Sequence, residues 1–241
     1  MARLPILMYH NVSNVETKSF DLTISTQKLE QQLQYIVSQK FTSFFVSELE
    51  NVKAIPLKSI VLTFDDVTEN QLLYALPLLK KYNIKATFFI PFSYIGKTDL
   101  WNSGVDATDE KIMTIAQLKS LDSEVIELGH HSYFHKKYTN LSDEEIQLDF
   151  DKSYECISKN DLKVYPSLAF PYGNYPKKGI RKEQFLDLLK KNNIKMAFRI
   201  GNSVNLFPFK NNYEIQRIDI KGHDSMLYFM WKLRFGKLRL F

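Results

Sequence analysis

Two adjacent aspartates, Asp65 and Asp66, stand where an apolar run ends, in the stretch SIVLTFDDVTEN over residues 59–70. Neighbouring carboxylates repel each other unless a cation or a proton is shared between them. The simplest interpretation is a solvated turn, because aspartate is common at strand ends. A cation site is the alternative, and it needs further ligands from elsewhere in the chain.

Histidines can provide those ligands. His131 and His135 are four residues apart in HHSYFH, and on a helical turn this spacing would point both imidazoles the same way. Two nitrogens and one carboxylate oxygen form the ligand set of a catalytic zinc-type site with positions left open for water. Such a metal activates water and polarises a carbonyl group. One aspartate would then be a ligand and the other a base, with His10 available as general acid.

Each of these residues has a simpler interpretation when taken alone. His10 could be a core histidine, the aspartates could cap a helix, and the histidines could lie on the surface. Their coincidence at the ends of predicted strands favours a site, because parallel α/β folds gather the carboxyl ends of their strands on one face.

The elements that must position these residues alternate between strands and helices. Predicted strands cover residues 5–9, 44–46, 59–64, 86–90, 125–128 and 167–170, with late strands in KMAFRI and EIQRIDI. Predicted helices cover residues 26–38, 114–121, 142–159 and 181–191, and the stretch TENQLLYALPLLKKY. Thr26 is the predicted cap of the first, and Ser142 and Glu145 form a capping box at the start of residues 142–159. A bend is predicted near Pro77. This alternation predicts a parallel sheet with helical crossovers, open or closed into a barrel.

The composition allows a single domain with a substantial core. The chain has 241 residues, 44% of them hydrophobic, and its one cysteine, Cys156, excludes an internal disulfide.

The short apolar run near the first residue predicts neither a transmembrane helix nor a signal peptide, so we expect a cytoplasmic protein. A net charge of +5 permits an anionic partner, but no nucleic-acid-binding module is recognisable.

The last segment concentrates basic and aromatic residues and contains no acid. Its basic residues are Lys232, Arg234, Lys237 and Arg239. One hypothesis is a helix packed on the domain, and the other is contact with an anionic membrane surface on the inner side. We therefore predict a barrel over residues 1–225 and a separate basic aromatic segment over residues 226–241.

Three motifs, in this order, resemble the polysaccharide deacetylases of carbohydrate esterase family 4, the NodB-homology group: VLTFDD, ELGHHSYFH and LAFPYGNY. LPILMYHNV and KKYNIKATFFIP agree, and the resemblance runs over about residues 5–220. It implies an α/β fold, a distorted (β/α) barrel in a single domain, and metal-dependent hydrolysis of acetyl groups, usually from N-acetylhexosamines in glycans. LMYH and FPYG resemble the branch that deacetylates poly-N-acetylglucosamine.

The resemblance also implies roles by position. Asp65 corresponds to the general base, and the metal ligands correspond to Asp66, His131 and His135. The backbone N–H of Tyr172 would help to hold the oxyanion.

The remaining implied roles concern the substrate and the proton donor. Pro171, Tyr172 and Tyr133 would contact the acetyl group and the sugar. In the poly-N-acetylglucosamine branch the proton donor is the N-terminal histidine, so His10 is the predicted general acid, with His223 as the alternative.

Two positions depart from the family pattern. Val67 stands where many members have glycine, and Ala169 stands where many have the arginine that orients the base. We predict that Arg217, in EIQRIDI, replaces that arginine; a surface salt bridge is the alternative.

The leading hypothesis is an N-deacetylase with one divalent metal, expected to be zinc, although cobalt and nickel suit the same ligands. Its substrate would be an N-acetylated glycan or a lipid-linked sugar. The alternatives are an O-deacetylase, another amide hydrolase, or a carbohydrate-binding protein with a degenerate site. The intact metal ligands argue against the last of these.

Overall fold

The computed structural model describes residues 1–102 and 109–237, which form a single α/β domain. Its strands are β1 (Ala2–Leu4), β2 (Ile6–Tyr9), β3 (Asn11–Ser13), β4 (Thr23–Ser25), β5 (Thr42–Ser43), β6 (Ser59–Asp65), β7 (Ala86–Ile90), β8 (Ile126–His130), β9 (Val164–Ala169), β10 (Met196–Ile200), β11 (Asn205–Phe207) and β12 (Ile215–Asp219). Its α-helices are α1 (Thr26–Ser38), α2 (Leu76–Tyr82), α3 (Ile115–Lys119), α4 (Asp143–Asn160), α5 (Gly179–Lys191) and α6 (Met226–Phe235).

Seven parallel strands close into a barrel in the order β2, β12, β10, β9, β8, β7 and β6, and the pairing of β6 with β2 completes the ring. The short strand β5 pairs with the first residues of β6 outside the ring. All seven residues of β6 are buried, which explains why its sequence is continuously apolar up to the aspartates. The predicted α/β barrel is therefore confirmed.

Most predicted elements are present, but the predictions for two segments before β6 are wrong. The strand predicted at residues 44–46 is wrong. Pairing there involves Thr42 and Ser43, after which the Phe45 N–H donates to the Glu48 carboxylate at 2.8 Å and the chain enters a short 3₁₀ turn. The predicted cap Thr26 is also wrong, because the hydroxyl of Ser25 accepts the hydrogen bond from the Lys28 N–H.

The bend predicted near Pro77 follows a wide π-helical turn, Gln71–Ala75, that precedes α2. The Gln71 side-chain amide donates to the carbonyl oxygens of Asp65 at 2.6 Å and His10 at 3.0 Å. It thereby ties together the ends of two barrel strands. The capping box predicted for α4 is confirmed, with reciprocal bonds between Ser142 and Glu145.

The helix α6 packs against the barrel with Phe229 and Leu233 buried, and the Phe229 ring contacts Tyr35 of α1. Lys232 is also buried, whereas Trp231 remains partly exposed. In the described ranges, no helix has both the length and the apolar character needed to cross a bilayer. The boundary at residue 225 stays a prediction, and Arg239 lies outside the described residues.

Candidate metal centre and active site

The carboxyl ends of the barrel strands surround a cavity of about 270 Å³. Of the predicted site residues, those that line it are His10, Asp65, Asp66, His131, His135 and Tyr172. They come from four separate segments of the chain, which follow strands β2, β6, β8 and β9. The topology thus brings the three motifs to one place.

Asp66, His131 and His135 form a buried cluster whose potential ligand atoms all lie within 4.8 Å of one another. Both histidine Nε2 atoms face the same carboxylate oxygen, Asp66 Oδ1, at 3.6 Å for His131 and 3.5 Å for His135. That oxygen is buried and accepts no hydrogen bond from the described residues. A buried carboxylate oxygen without a donor is costly, and a cation between these three atoms would satisfy it.

A hydrogen bond on the side away from the cavity fixes the orientation of His131. Its Nδ1 lies 2.8 Å from the carbonyl oxygen of Ala169, to which it donates when Nδ1 carries the proton. The Nε2 lone pair then faces the cavity, as in metal sites where a second hydrogen bond sets the tautomer. Burial lowers the pKa of His131 to about 4, so the imidazole is neutral and able to bind a cation at neutral pH.

Residues 131–135 form an irregular loop, so the helical turn suggested by the spacing is wrong. Ser132 and His135 both have positive φ angles, 66° and 51°, which a helical turn does not allow. The loop is held by the buried carboxylate of Asp149, which accepts hydrogen bonds from the N–H groups of Tyr133 and Phe134 at 2.9–3.0 Å. The Ser132 hydroxyl accepts from the His135 N–H at 2.9 Å. The contacts with Asp149 and Ser132 therefore bring the two imidazoles together.

Asp65 is paired with Arg217 of β12. Nη1 of Arg217 lies 2.5 Å from Asp65 Oδ1, and Nη2 lies 2.7 Å from Oδ2. Arg217 is fully buried, so the alternative of a surface salt bridge is wrong. Ala169, where the family arginine is missing, is likewise buried in the barrel core.

The two adjacent aspartates have opposite electrostatic environments. Burial alone would raise the pKa of Asp65, but the charge of Arg217, its hydrogen bonds and nearby histidines hold that pKa well below its usual range. Burial and the charges of Asp65 and Asp99 raise the pKa of Asp66 well above its usual range. Asp65 is thus ionised without a cation, whereas a bound cation would favour the ionised form of Asp66.

His10 lies beside Asp65, the predicted base. Its Nε2 is 3.8 Å from Asp65 Oδ2, and its side chain is 13% exposed toward the cavity. Burial lowers the pKa of His10, whereas the negative charges of Asp65 and Asp219 oppose that shift. The alternative acid, His223, is exposed and packs against Phe20, and it is not among the residues that line the cavity.

The predicted sugar contacts divide into two groups. Tyr172 lines the cavity, is 46% exposed, and its ring centroid lies 4.9 Å from that of His135. Its φ of 58° is unusual for a residue other than glycine, and such strained conformations are concentrated at functional sites. Pro171 is buried, and the N–H of Tyr133 donates to Asp149. Neither residue is among the described residues that line the cavity.

The position of Val67 explains why glycine suits many family members there. Its φ is 44°, and the preceding Asp66 has φ 76°. A β-branched residue in this region is strained, at a cost of about 1–3 kcal/mol. Val67 is also fully buried in the core, which offsets part of that cost.

Sequence reasoning missed three residues at the site. The ring of Trp101 stacks on His135, with centroids 3.9 Å apart, and Asp219 and Lys221 line the cavity beside His10. The strand-end position of Asp219 is a signal that could have identified it, since the other site residues follow strands too. Trp101 lies in a short 3₁₀ turn, Leu100–Asn102, that does not directly follow a predicted strand, so it gives no comparable signal.

The chain is similar to known polysaccharide deacetylases. The family model described as "Polysaccharide deacetylase" matches residues 53–184. The poly-beta-1,6-N-acetyl-D-glucosamine N-deacetylase of Staphylococcus aureus is 28% identical over 216 residues, which cover 88% of this chain and 71% of that protein. The enzyme of the same name from Staphylococcus epidermidis is 28% identical over 213 residues, with 84% and 69% covered.

Solved structures show the same fold. The Streptococcus pyogenes deacetylase PplD, in complex with acetate, superposes with a TM-score of 0.78 at 21% identity, over 96% of this chain and 98% of that chain. IcaB from Ammonifex degensii gives a TM-score of 0.74 at 20% identity, over 92% and 93%. The family match spans more than half of the chain, so this chain belongs to the polysaccharide deacetylase family, in the branch that resembles the poly-N-acetylglucosamine deacetylases.

Proposed function

We propose that this protein is a metal-dependent N-deacetylase that hydrolyses N-acetyl groups on N-acetylhexosamine units of a glycan. The observation that carries the proposal is the convergence of two imidazole Nε2 atoms on the unpartnered Oδ1 of Asp66, next to an ionised Asp65. The names of the curated relatives, which are poly-N-acetylglucosamine N-deacetylases, support this substrate class.

Asp66, His131 and His135 would hold one divalent cation, which we expect to be zinc. When bound, that cation would supply Lewis-acid activation of water and of the acetyl carbonyl. Two neutral nitrogens and one carboxylate are a common donor set for catalytic zinc. Cobalt or nickel would suit the same donors.

Asp65 would accept the proton of the attacking water. Arg217 holds both carboxylate oxygens, which keeps Asp65 ionised and fixes its direction. The pairing also keeps the basicity of Asp65 low, so proton transfer requires a water that is already acidified. We infer that proton acceptance and metal binding require carboxylates with different electrostatic environments, which is why the base and the ligand are different aspartates.

His10 would give a proton to the departing amine as the carbon–nitrogen bond breaks, so that the products are acetate and a free amino sugar. The imidazole lies within reach of the same cavity, 3.8 Å from the base. The backbone N–H of Tyr172 would stabilise the developing oxyanion, and its half-exposed ring offers a stacking surface for the sugar.

The direct test is acetate release from β-1,6-linked N-acetylglucosamine oligomers by zinc- and cobalt-loaded protein. We expect activity that a chelator removes, that added metal restores, and that Asp65→Asn abolishes. Asp151→Asn is the matched control, because Asp151 is exposed on α4 away from the cavity. Acetate release from an O-acetylated glycan, with none from these N-acetylated oligomers, would identify an O-deacetylase. Normal turnover by Asp65→Asn would reject the mechanism.

We also propose peripheral contact with an anionic membrane surface through α6. Its outward side presents Leu227, Trp231 and Phe235 at four-residue spacing, with exposed fractions of 76%, 43% and 52%. Arg234 is exposed on the same helix. An apolar stripe beside basic groups favours the interface of an anionic bilayer. Such a location would suit a lipid-linked sugar as substrate.

A further inference from the structure

The buried amine of Lys232 lies behind one wall of the catalytic cavity. Lys232 Nζ donates to the carbonyl oxygen of Asp219 at 2.6 Å and to Oδ2 of Asp224 at 2.5 Å. Lys232 is 2% exposed and Asp224 is 5% exposed. A buried lysine is retained only where its charge and its donors are satisfied. One acceptor, Asp219, is the last residue of β12, and the other, Asp224, lies in the turn between β12 and α6.

That turn forms the cavity wall beside His10. Asp219 and Lys221 both line the cavity. Asp224 Oδ2, which accepts from Lys232, also accepts from the Lys221 N–H at 2.8 Å, and the Asp224 N–H donates to the Lys221 carbonyl oxygen at 3.0 Å. A single ammonium group therefore joins the two ends of residues 219–224.

The opposite side of the turn is fixed by close packing. The carbonyl oxygen of Gly222 accepts from Ser19 Oγ at 2.8 Å and from Lys28 Nζ at 2.6 Å. A Cβ at Gly222 would lie 1.8 Å from the Thr23 carbonyl oxygen, so no side chain fits at that position. Lys232 holds the turn from the side of α6.

The consequence for the site concerns Asp219. In the pairing of β12 with β2, Asp219 lies opposite Met8, two residues before His10, and the Ile220 N–H donates to the Met8 carbonyl oxygen at 3.0 Å. Oδ1 of Asp219 is buried and accepts no hydrogen bond from the described residues. Oδ2 of Asp219 pairs with Lys221 Nζ at 3.1 Å. Asp219 and His10 line the same cavity, and the charge of Asp219 acts on the imidazole of His10, the predicted proton donor.

We propose that Lys232 is a positioning residue: its hydrogen bond to the Asp219 carbonyl oxygen holds the wall that carries Asp219 against His10. The C-terminal helix would then be part of the catalytic support. This inference rests on the proposed deacetylase function, since it requires a reaction in which His10 transfers a proton.

The competing interpretation is a buried ion pair that stabilises the fold only. Lys232→Met alone does not separate the two, because it leaves the Asp224 carboxylate buried without its partner. The double variant Lys232→Met/Asp224→Asn removes both charges. The side-chain amide introduced by Asp224→Asn can still accept from the Lys221 N–H, so the double variant specifically lacks the donor to Asp219.

The experiment compares wild type, Lys232→Met, the double variant and Lys237→Met, an exposed lysine just beyond the end of the same helix. Each is examined for melting temperature, for the absorption spectrum of bound cobalt, and for kcat and KM of acetate release. We expect the double variant to recover most of the melting temperature lost in Lys232→Met and to keep the wild-type cobalt spectrum. Its kcat should nevertheless fall by roughly 10- to 100-fold, with KM changed less than about threefold, because small misplacements of catalytic groups have effects of that order.

Two results would overturn the inference. A double variant with wild-type kcat would show that the pair is structural only, and an altered cobalt spectrum would show that the damage extends to the metal ligands. If the double variant does not fold, Lys232→Gln, which removes the charge but retains a donor, should keep more of the wild-type kcat than Lys232→Met; equal losses would also reject the role. Absence of acetate release from the wild type would instead reject the proposed function.

Discussion

Both terminal nitrogens of Arg217 bond to the carboxylate of Asp65, at 2.5 and 2.7 Å, although the two residues are 152 positions apart in the chain. The pair lies entirely inside the barrel, with Arg217 on β12 and Asp65 at the end of β6. Arg217 Nη1 also lies 3.2 Å from the Thr63 hydroxyl. The barrel thus fixes the direction of the predicted base.

Replacing Arg217 by methionine should make Asp65 harder to ionise. Burial then acts without the opposing charge, so the pKa of Asp65 rises and the acidic limb of the kcat/KM profile moves to higher pH. We expect activity at neutral pH to fall by roughly 100-fold or more, given the usual contribution of a general base.

Arg217→Lys is the conservative variant for this experiment. It keeps the charge and loses the two-point contact, so it should shift the acidic limb less than Arg217→Met does. Breaking a buried pair costs about 3–5 kcal/mol of stability, so melting curves must accompany the kinetics. An acidic limb that stays in place in the folded Arg217→Met protein would contradict the assignment of Asp65 as base.

Metal binding should release a proton from Asp66 and none from the histidines. The raised pKa of Asp66 means that it carries a proton over part of the acidic to neutral range, whereas burial keeps His131 and His135 neutral there. Proton release on zinc binding should therefore rise toward one per ion as the pH is lowered from the alkaline side. Affinity should weaken over the same decrease in pH.

Titration calorimetry in buffers of different ionisation enthalpy measures this count. Asp66→Asn should bind zinc more weakly and release no proton. Release approaching two protons per ion near pH 6 would instead show that the histidines have ordinary pKa values.

Asp149 should support the metal site without touching the metal. Asp149→Asn replaces one of the acceptor oxygens for the Tyr133 and Phe134 N–H groups with an amide that cannot accept. Loss of such supporting contacts typically weakens metal affinity by roughly 10- to 100-fold. Asp151→Asn, two residues further along α4, is exposed and should leave zinc affinity unchanged; equal effects of both substitutions would contradict the support role.

Trp101 should report metal binding by fluorescence. The chain has two tryptophans, and Trp101 stacks on His135 whereas Trp231 lies on α6. In a Trp231→Phe protein, cobalt should quench the remaining emission saturably, with the same dissociation constant as calorimetry gives. Comparable quenching in Trp101→Phe would show that the signal does not come from this site.

The exposed side of α6 should bind anionic vesicles. Cosedimentation with phosphatidylglycerol-containing vesicles should be lost in Trp231→Ser/Phe235→Ser and should weaken with added salt, because surface charges are screened. Ile180→Ser removes a similarly exposed apolar residue from α5 and serves as control. Failure of the unmodified protein to sediment would reject the proposal.

Short-range patterns predicted much of the architecture. The strand at residues 86–90 and the helix at residues 26–38 have the predicted bounds, because buried apolar runs and amphipathic spacing are local properties. The strand predicted at residues 44–46 failed because three apolar residues carry no information about pairing partners. The spacing of His131 and His135 predicts a helical turn. The hydrogen bonds that bend this loop come from Asp149 on a separate helix, so the local sequence does not reveal them.

The sequence by itself determined the inventory of the site: two adjacent aspartates, two spaced histidines and an N-terminal histidine, each placed after a predicted strand. Closure of the barrel alone decided their partners. Whether Arg217 faced solvent or Asp65, and whether Lys232 faced a membrane or Asp219, depended on which strands became neighbours. Pairing and burial, which set both the distance and the dielectric environment of a charge, arise only when distant segments pack together.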